Sequence, residues 1–227
     1  MRKTAHPGAS LLGELPARLS TDLFAKAKPV RLAADESLFF AGDSGDGCYR
    51  VEDGLLKVAM VSRAGNERIL AFFGRGGIVG ELSVIDGRPR SASVVAVRDT
   101  QLSFLSRAAF EDFSAKHPEV YKTLVTLLAS RLRETDSVVA AASFLPLKGR
   151  VAVTLLELAD NFGQDVGAGR IVIRQKIAQS DLAAMAGIAR ENVSRILNDW
   201  KRRKLVSRLS GYYCLENKAL LQNEAEL

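Results

Sequence analysis

The sequence predicts an α+β chain made of a β-roll (jelly-roll) barrel, a long helix and a winged helix-turn-helix. Three observations carry that prediction. Short apolar or alternating runs separated by glycine turns fill residues 29–106. A long stretch after Pro118 keeps its apolar residues at steps of four and three. Two helical stretches around Gly187-Ile188-Ala189 precede a hairpin pattern.

Residues 11–28 read as helical, with Leu11, Leu12, Leu15, Leu19, Leu23 and Phe24 at helical spacing and an interruption at Pro16. The strand runs are Ser37–Ala41, Cys48–Val51, Leu55–Val61, Ile69–Phe73, Ala92–Val97 and Gln101–Leu105. The turns between them carry Gly42-Asp43, Asp46-Gly47, Asp53-Gly54, Ala64-Gly65-Asn66, Gly74 to Gly77 and Asp86-Gly87. Arg107–Lys116 reads as a short helix, and a longer one runs from Pro118 to about Ser143. Its stripe of Leu124, Leu128, Leu132, Thr135, Val139 and Ala142 suits a two-stranded coiled-coil seam.

Phe144-Leu145-Pro146 breaks the pattern, because proline disfavours helix at the preceding residue. After this hinge, Val151–Phe162 is helical and Ile171–Ile173 a short strand. Helices follow at Gln179–Ala186 and Arg190–Lys204, then a hairpin of Leu205–Arg208 and Tyr212–Leu215. Three parts are expected: a barrel with flanking helices at 1–116, a connecting helix and hinge at 117–144, and a winged helix-turn-helix at 145–227.

Composition narrows the function classes. The 227 residues are 47% hydrophobic, enough for a core in each of two small domains. A formal charge of +6 favours an anionic partner. Two cysteines, Cys48 and Cys214, make neither a disulfide framework nor a metal motif, so reduced thiols in the cytoplasm are expected. No apolar run approaches the roughly 20 residues of a membrane span. Met1 to Ser10 lacks the apolar stretch of a signal peptide. No histidine falls among the strands, as a metal-dependent cupin site would need, and no Ser–His or Cys–His pairing is evident. No enzymatic activity is therefore expected.

Two segments carry the chemistry. Gly80-Glu81-Leu82-Ser83 followed by Arg90-Ser91-Ala92 supplies what a cyclic sugar phosphate needs. A carboxylate can accept from a ribose hydroxyl, and a guanidinium can fork onto a phosphate. Glycine and serine let backbone and hydroxyl donors come close. In the helix-turn-helix, Leu182, Met185, Ile188, Val193, Ile196 and Leu197 would hold the pair together. Arg190, Glu191, Ser194 and Arg195 are left near the start of the second helix, the end that reaches base edges in the major groove of double-stranded DNA. Arginine pairs with guanine, and glutamate accepts from cytosine. Residues 170–208 hold ten Lys or Arg against three Asp or Glu, a footprint for backbone phosphates. Lys201-Arg202-Arg203-Lys204 supplies much of it, although a basic helix C-terminus also complements the helix dipole.

Together these segments resemble the family of the cyclic AMP receptor protein and the fumarate–nitrate reduction regulator. The resemblance spans about residues 20–215. It rests on Gly80-Glu81-Leu82, Arg90-Ser91-Ala92, the long helix with Thr135, Gly149-Arg150, and Arg190-Glu191-Asn192-Val193-Ser194-Arg195. It implies a homodimeric transcription regulator with cAMP as effector and double-stranded DNA and RNA polymerase as partners; from the residues, no membrane, metal, haem or iron–sulfur cluster is expected. Glu81 would take the ribose 2′-hydroxyl. Arg90 and Ser91 would hold the phosphate, helped by N–H groups from Gly80 to Ser83. Arg131 is similar to a family residue that pairs with the pocket glutamate. Thr135 would contact the base in its own subunit and Asp136 the base in the partner.

Asp136 departs from the serine of the best-known cAMP responders. A carboxylate accepts from the adenine amino group, and it also accepts from guanine N1–H and N2–H₂ together, so cGMP is a second candidate effector. Arg190, Glu191 and Arg195 follow the cyclic AMP receptor pattern, whereas Ser194 follows the fumarate–nitrate branch. The half-site is accordingly either TGTGA-like or TTGA-like, in an inverted repeat. The alternative is a family member that works without a cyclic nucleotide, constitutively or through redox or haem sensing. Against it, no cysteine precedes Cys48, His6 and His117 lie outside the strands, and the Glu81–Arg90–Ser91 set is present.

Overall fold

The computed structural model describes the backbone of residues 15–225, and their side chains except those of 123, 127, 130, 131 and 134–142. The chain forms two compact units that divide between Thr135 and Asp136.

In the first unit the order is α1 (Ala17–Leu23), β1 (Lys28–Leu32), β2 (Ser37–Phe39), β3 (Gly47–Val61), β4 (Glu67–Phe73), β5 (Ile78–Val79), α2 (Glu81–Asp86), β6 (Ser93–Ser106) and α3 (Arg107–Lys116), leading into α4 (Glu119–Phe144). All strand pairs are antiparallel. The sheet runs β1-β6-β3-β4, with β2 on β6 and β5 on β3. This is the expected β-roll, but its six strands are not the six sequence runs: two pairs of runs merge into long strands, and β1 and β5 are additional. Cys48–Val51 and Leu55–Val61 are one strand, as are Ala92–Val97 and Gln101–Leu105. Asp53-Gly54 is a bulge inside β3 and not a turn, with register shifts on both sides of Asp53. Gly54 has φ +109°, and a Cβ there would strike Thr100 on β6.

Two apolar clusters hold the unit. Leu32, Val51, Leu56, Val94, Ala96 and Leu102 fill the roll. Leu23, Phe24, Cys48, Val84, Leu105 and Phe110 join α1, α2 and α3 to its end. Val120 and Leu124 of α4 belong to this second cluster. That corrects the predicted seam: Leu124 is barrel core. Among the described residues, the large apolar side chains that α4 leaves exposed are Tyr121, Val125, Leu128 and Leu132, again at steps of four, three and four, and Phe144 at its end. Of the predicted amino-terminal helix, the described residues form α1 only. It begins straight after Pro16, which suits a position where no N–H is required.

The second unit contains α5 (Leu147–Phe162), β7 (Gly163–Asp165), β8 (Ile171–Ile173), α6 (Gln179–Ala186), α7 (Arg190–Arg202), β9 (Val206–Leu209), β10 (Tyr212–Leu215) and α8 (Lys218–Glu224). Its sheet order is β7-β8-β10-β9. Leu155, Ile173, Leu182, Val193, Trp200 and Leu221 are among its buried residues. Gly149 lies where a Cβ would press on Leu145 and the Glu224 carbonyl, so glycine lets α5 and α8 approach closely. Among the described residues no helix is long and apolar enough to cross a membrane.

Candidate functional site

A cleft of about 680 Å³, open mouth included, lies where β5 runs into α2 and where β6 begins. Every predicted residue of the first motif lines it: Gly80, Glu81, Leu82, Ser83, Arg90, Ser91 and Ala92. Leu82 and Ser91 are exposed at the mouth, while Glu81, Ser83, Arg90 and Ala92 are buried. The wall opposite is apolar and includes Phe39, Val58, Leu70 and Ala71.

Arg90 organises this site. Its side chain is 2% exposed, an expensive place for a charge unless it is fully bonded. Nη1 donates to the Gly47 carbonyl at 2.7 Å and to the Gly80 carbonyl at 2.8 Å. Nη2 lies 3.5 Å from an Asp46 carboxylate oxygen that is largely in solvent. The guanidinium sits over the Phe39 ring, 4.3 Å from its centre. Nε is buried and has no hydrogen-bond partner among the described residues. The guanidinium is thus pinned along one edge, while its Nε edge keeps an unused donor.

The backbone fits around that arginine. Gly80 has φ +80°, and a Cβ there would overlap Arg90 Nη1, so two separate constraints require glycine. A Cβ at Gly45 would overlap Ser83 and crowd Arg90. Arg90 N donates to the Asp43 carbonyl, and Gly42 N donates to the Arg90 carbonyl, both at 2.8 Å. Glu81 opens α2, where the first-turn N–H groups have no partner within the helix. Nearby Cys48 reports on both charges. Burial pushes its thiol up to about 12, with the Glu81 carboxylate adding to the rise and Arg90 opposing it.

A second arginine, which the sequence reading missed, braces the turn from behind. Arg107 Nη2 donates to the Ser83 carbonyl at 2.5 Å and to the Gly45 carbonyl at 3.0 Å. Phe39, Asp46 and Gly45 were missed as well. The Gly42-Asp43 and Asp46-Gly47 turns were legible, but nothing local ties them to residues forty positions away.

The side chains of Arg131, Thr135 and Asp136, predicted to reach the ligand from α4, lie outside the described residues.

In the second unit the helix-turn-helix is formed as expected. Gly187, at φ 65°, ends α6 in the left-handed region, and Ile188 N donates to the Ala183 carbonyl. Val193, Ile196, Leu197 and Trp200 are the buried face of α7. Arg190, Glu191 and Arg195 are exposed, and Asn192 and Ser194 half-buried. Arg195 donates to the Asn192 side-chain oxygen. The hairpin turns at Ser210-Gly211, both with positive φ, as a tight two-residue turn requires.

The basic run at the end of α7 is only partly available. Arg203 pairs with Glu224 at 2.5 Å and with Asp199 at 3.6 Å, and Arg202 lies 3.4 Å from Asp199. Lys148 also reaches Asp199, at 3.2 Å, and holds its carboxyl below the usual range, with Arg203 contributing. Arg203 therefore ties α7 to α8, and Arg202 leans on Asp199 of its own helix while remaining exposed, leaving Lys201 and Lys204 as the freer charges. Among the described residues no group of three or more His, Cys, Asp or Glu is placed to hold a metal ion.

Comparison with known proteins matches both units. The family model of the cyclic nucleotide-binding domain covers residues 29–117, and that of the Crp-like helix-turn-helix domain covers residues 149–224. The chain is 36% identical to the cyclic AMP receptor protein of Thermus thermophilus, over 89% of this chain and 87% of that one. It is 31% identical to the CRP-like cAMP-activated global transcriptional regulator of Mycobacterium tuberculosis, over 88% and 85%. A solved CRP/FNR-family transcriptional regulator from Thermus thermophilus aligns with a TM-score of 0.70 at 27% identity, over 88% of this chain and 99% of that one.

Proposed function

The chain belongs to the CRP/FNR family of transcription regulators, and from that premise we propose that it is a homodimeric, cyclic-nucleotide-responsive activator or repressor reading an inverted-repeat DNA site. The effector is cAMP, with cGMP as the second candidate. Residues 1–116 hold the nucleotide, 117–144 form the dimer helix and hinge, and 145–227 read DNA. The protein works in the cytoplasm with RNA polymerase as a further partner, and it is not an enzyme.

One observation carries the reading. Arg90 is buried, fixed by two carbonyls, and keeps an unpartnered Nε in a cleft lined by Gly80 to Ser83. A cyclic phosphate would satisfy that donor, and charge-assisted bonds of this kind are the strong ones. Glu81 takes the ribose 2′-hydroxyl, and Ser91 and the backbone N–H groups of the turn hold the remaining phosphate oxygens. The apolar wall of Val58, Leu70 and Ala71 suits a base. The cAMP-linked names of two relatives support adenine. The choice of base falls to Thr135 and Asp136 on α4, and Arg131 pairs with Glu81.

On the DNA side, Arg190, Glu191 and Arg195 read base edges, and Asn192, Ser194 and Lys201 complete the face. Two recognition helices would enter successive major grooves, roughly 34–36 Å apart. The nucleotide favours the DNA-competent state only through a difference in its affinity for two states, passed along α4 to the hinge at Phe144–Pro146. Calorimetry with cAMP and cGMP tests the effector. Tight cAMP binding is expected. Binding of neither nucleotide would favour the constitutive or redox-sensing alternative, and cAMP binding with no detectable cGMP binding would remove the role given to Asp136.

A further inference from the structure

A second cleft, of about 500 Å³ with its open mouth, lies in the helix-turn-helix unit among the start of α6, the second half of α7 and the β9–β10 hairpin. Its polar lining is Gln179, Asn198, Lys201, Ser207, Arg208 and Tyr213. Its charge is unbalanced. The neighbouring Arg202 and Arg203 are paired with Asp199 and Glu224. Lys201 has no carboxylate within ion-pairing distance among the described residues. Among the described residues Arg208 donates only to the carbonyls of Gly211 and Ile177, with its guanidinium 5.0 Å from the centre of the Tyr213 ring. Two cations thus converge on one concave surface.

Tyr213 points independently to a ligand. Its side chain is 1% exposed, and its hydroxyl has no hydrogen-bond partner among the described residues. Leaving such a group unsatisfied costs about 1–3 kcal/mol, so phenylalanine would serve packing better. A tyrosine is worth that cost if the hydroxyl meets an acceptor from outside the chain. Burial pushes the phenol above its ordinary value, with Arg208 opposing and Asp181 adding to the rise, so the group remains a donor.

We propose that this cleft seats one phosphodiester of the DNA backbone, with Lys201 and Arg208 supplying charge and the Tyr213 hydroxyl a hydrogen bond. The assignment rests on the DNA-reading function proposed above. It gives Lys201 of the basic run one defined phosphate, and it adds Arg208 and Tyr213 to the interface. A phosphate contact positions the protein without reading sequence, so its loss weakens selected and unrelated DNA alike.

The test uses the full-length protein, a duplex selected by it from a randomised pool, and a scrambled duplex. Lys201→Ala should weaken binding to both by a similar factor and lower the slope of log affinity against log salt by about one. Tyr213→Phe should weaken binding to both by about three- to tenfold with the salt slope unchanged, and its thermal midpoint should equal or exceed that of the parent. Wild-type affinity for both duplexes in Lys201→Ala and Tyr213→Phe would overturn the proposal. So would saturable stabilisation by inorganic phosphate that Lys201→Ala abolishes while DNA affinity stays unchanged, since a free anion would then be the occupant. Arg195→Ala separates this failure from failure of the underlying reading: it should lose the selected duplex only, and if no duplex can be selected the DNA-reading function itself is wrong.

Discussion

The proposed nucleotide cleft and the proposed DNA-reading face both present arginine, but they hold it in opposite ways. Arg90 is buried, bonded on one edge to Gly47 and Gly80, stacked on Phe39, and keeps an unpaired Nε. Arg190 and Arg195 stand in solvent, and Arg195 reaches only Asn192 on its own helix. The first arrangement is set before any ligand arrives, so a small anion loses little free energy to ordering the protein. The second leaves long side chains free to settle on base edges once the helix has docked. A pocket for one small molecule gains from rigidity, whereas a surface that must slide along DNA gains from mobile charge.

If that contrast is right, the largest effect belongs to Arg90. Arg90→Leu should lower nucleotide affinity by about 30-fold to several-thousand-fold, since truncating one partner of a buried charged pair costs about 2–5 kcal/mol. Calorimetry measures it, with circular dichroism confirming a retained fold. Arg195→Ala should follow. It should cost about 1–3 kcal/mol on a selected site and much less on scrambled DNA, as anisotropy titrations would report. An equal loss on both would mean that the exposed arginine contacts phosphate, and the contrast would blur.

Gly80→Ala tests how far the cleft depends on its backbone. A side chain in the left-handed region costs about 1–2 kcal/mol, and the new Cβ would also displace the Arg90 guanidinium. Both the urea midpoint and the nucleotide affinity should fall, with DNA binding in the absence of nucleotide unchanged.

The smallest effect is expected from Cys48. Burial raises its thiol from an ordinary 9.0 to about 12. Below about pH 9 the thiol is protonated in both folded and unfolded chains, and its full contribution to stability is present. As pH rises from 9 towards 12 the unfolded chain loses that proton first, so stability falls. Urea midpoints across this range should drop less steeply in Cys48→Ala.

The sequence revealed the outline of the fold better than its seams. Glycine turns and alternating runs were enough to predict the roll. They did not show that Asp53-Gly54 would be absorbed as a bulge in one long β3, because a glycine inside a strand and a glycine at a turn look alike locally. The α2 helix was missed because six residues straight after Gly80 offer too little periodicity. On α4 the period was right, and Leu128 and Leu132 of the predicted stripe are exposed, but the stripe starts one turn too early. Leu124 fits a coiled-coil seam by spacing, yet it packs into the barrel core beside Phe110. In the cleft, the residues of the Gly80–Ser83 and Arg90–Ala92 segments were legible together because they lie close in sequence, at the start of α2 and just after it. Arg107, Asp46 and Phe39 were not, since each acts through contacts set by strand pairing across the roll. The basic run after Trp200 shows the reverse. Its charge was plain, and so was Asp199 just before it, but Glu224, which pairs with Arg203, becomes a neighbour only on folding.

The most direct measurement is an anisotropy titration of a selected duplex with the full-length protein, with and without saturating cAMP or cGMP, alongside Arg90→Leu. The account predicts that nucleotide raises DNA affinity by about tenfold or more, within the range typical of allosteric coupling, and that Arg90→Leu binds DNA as the unliganded protein does. DNA affinity indifferent to both nucleotides, or an undiminished response in Arg90→Leu, would contradict it.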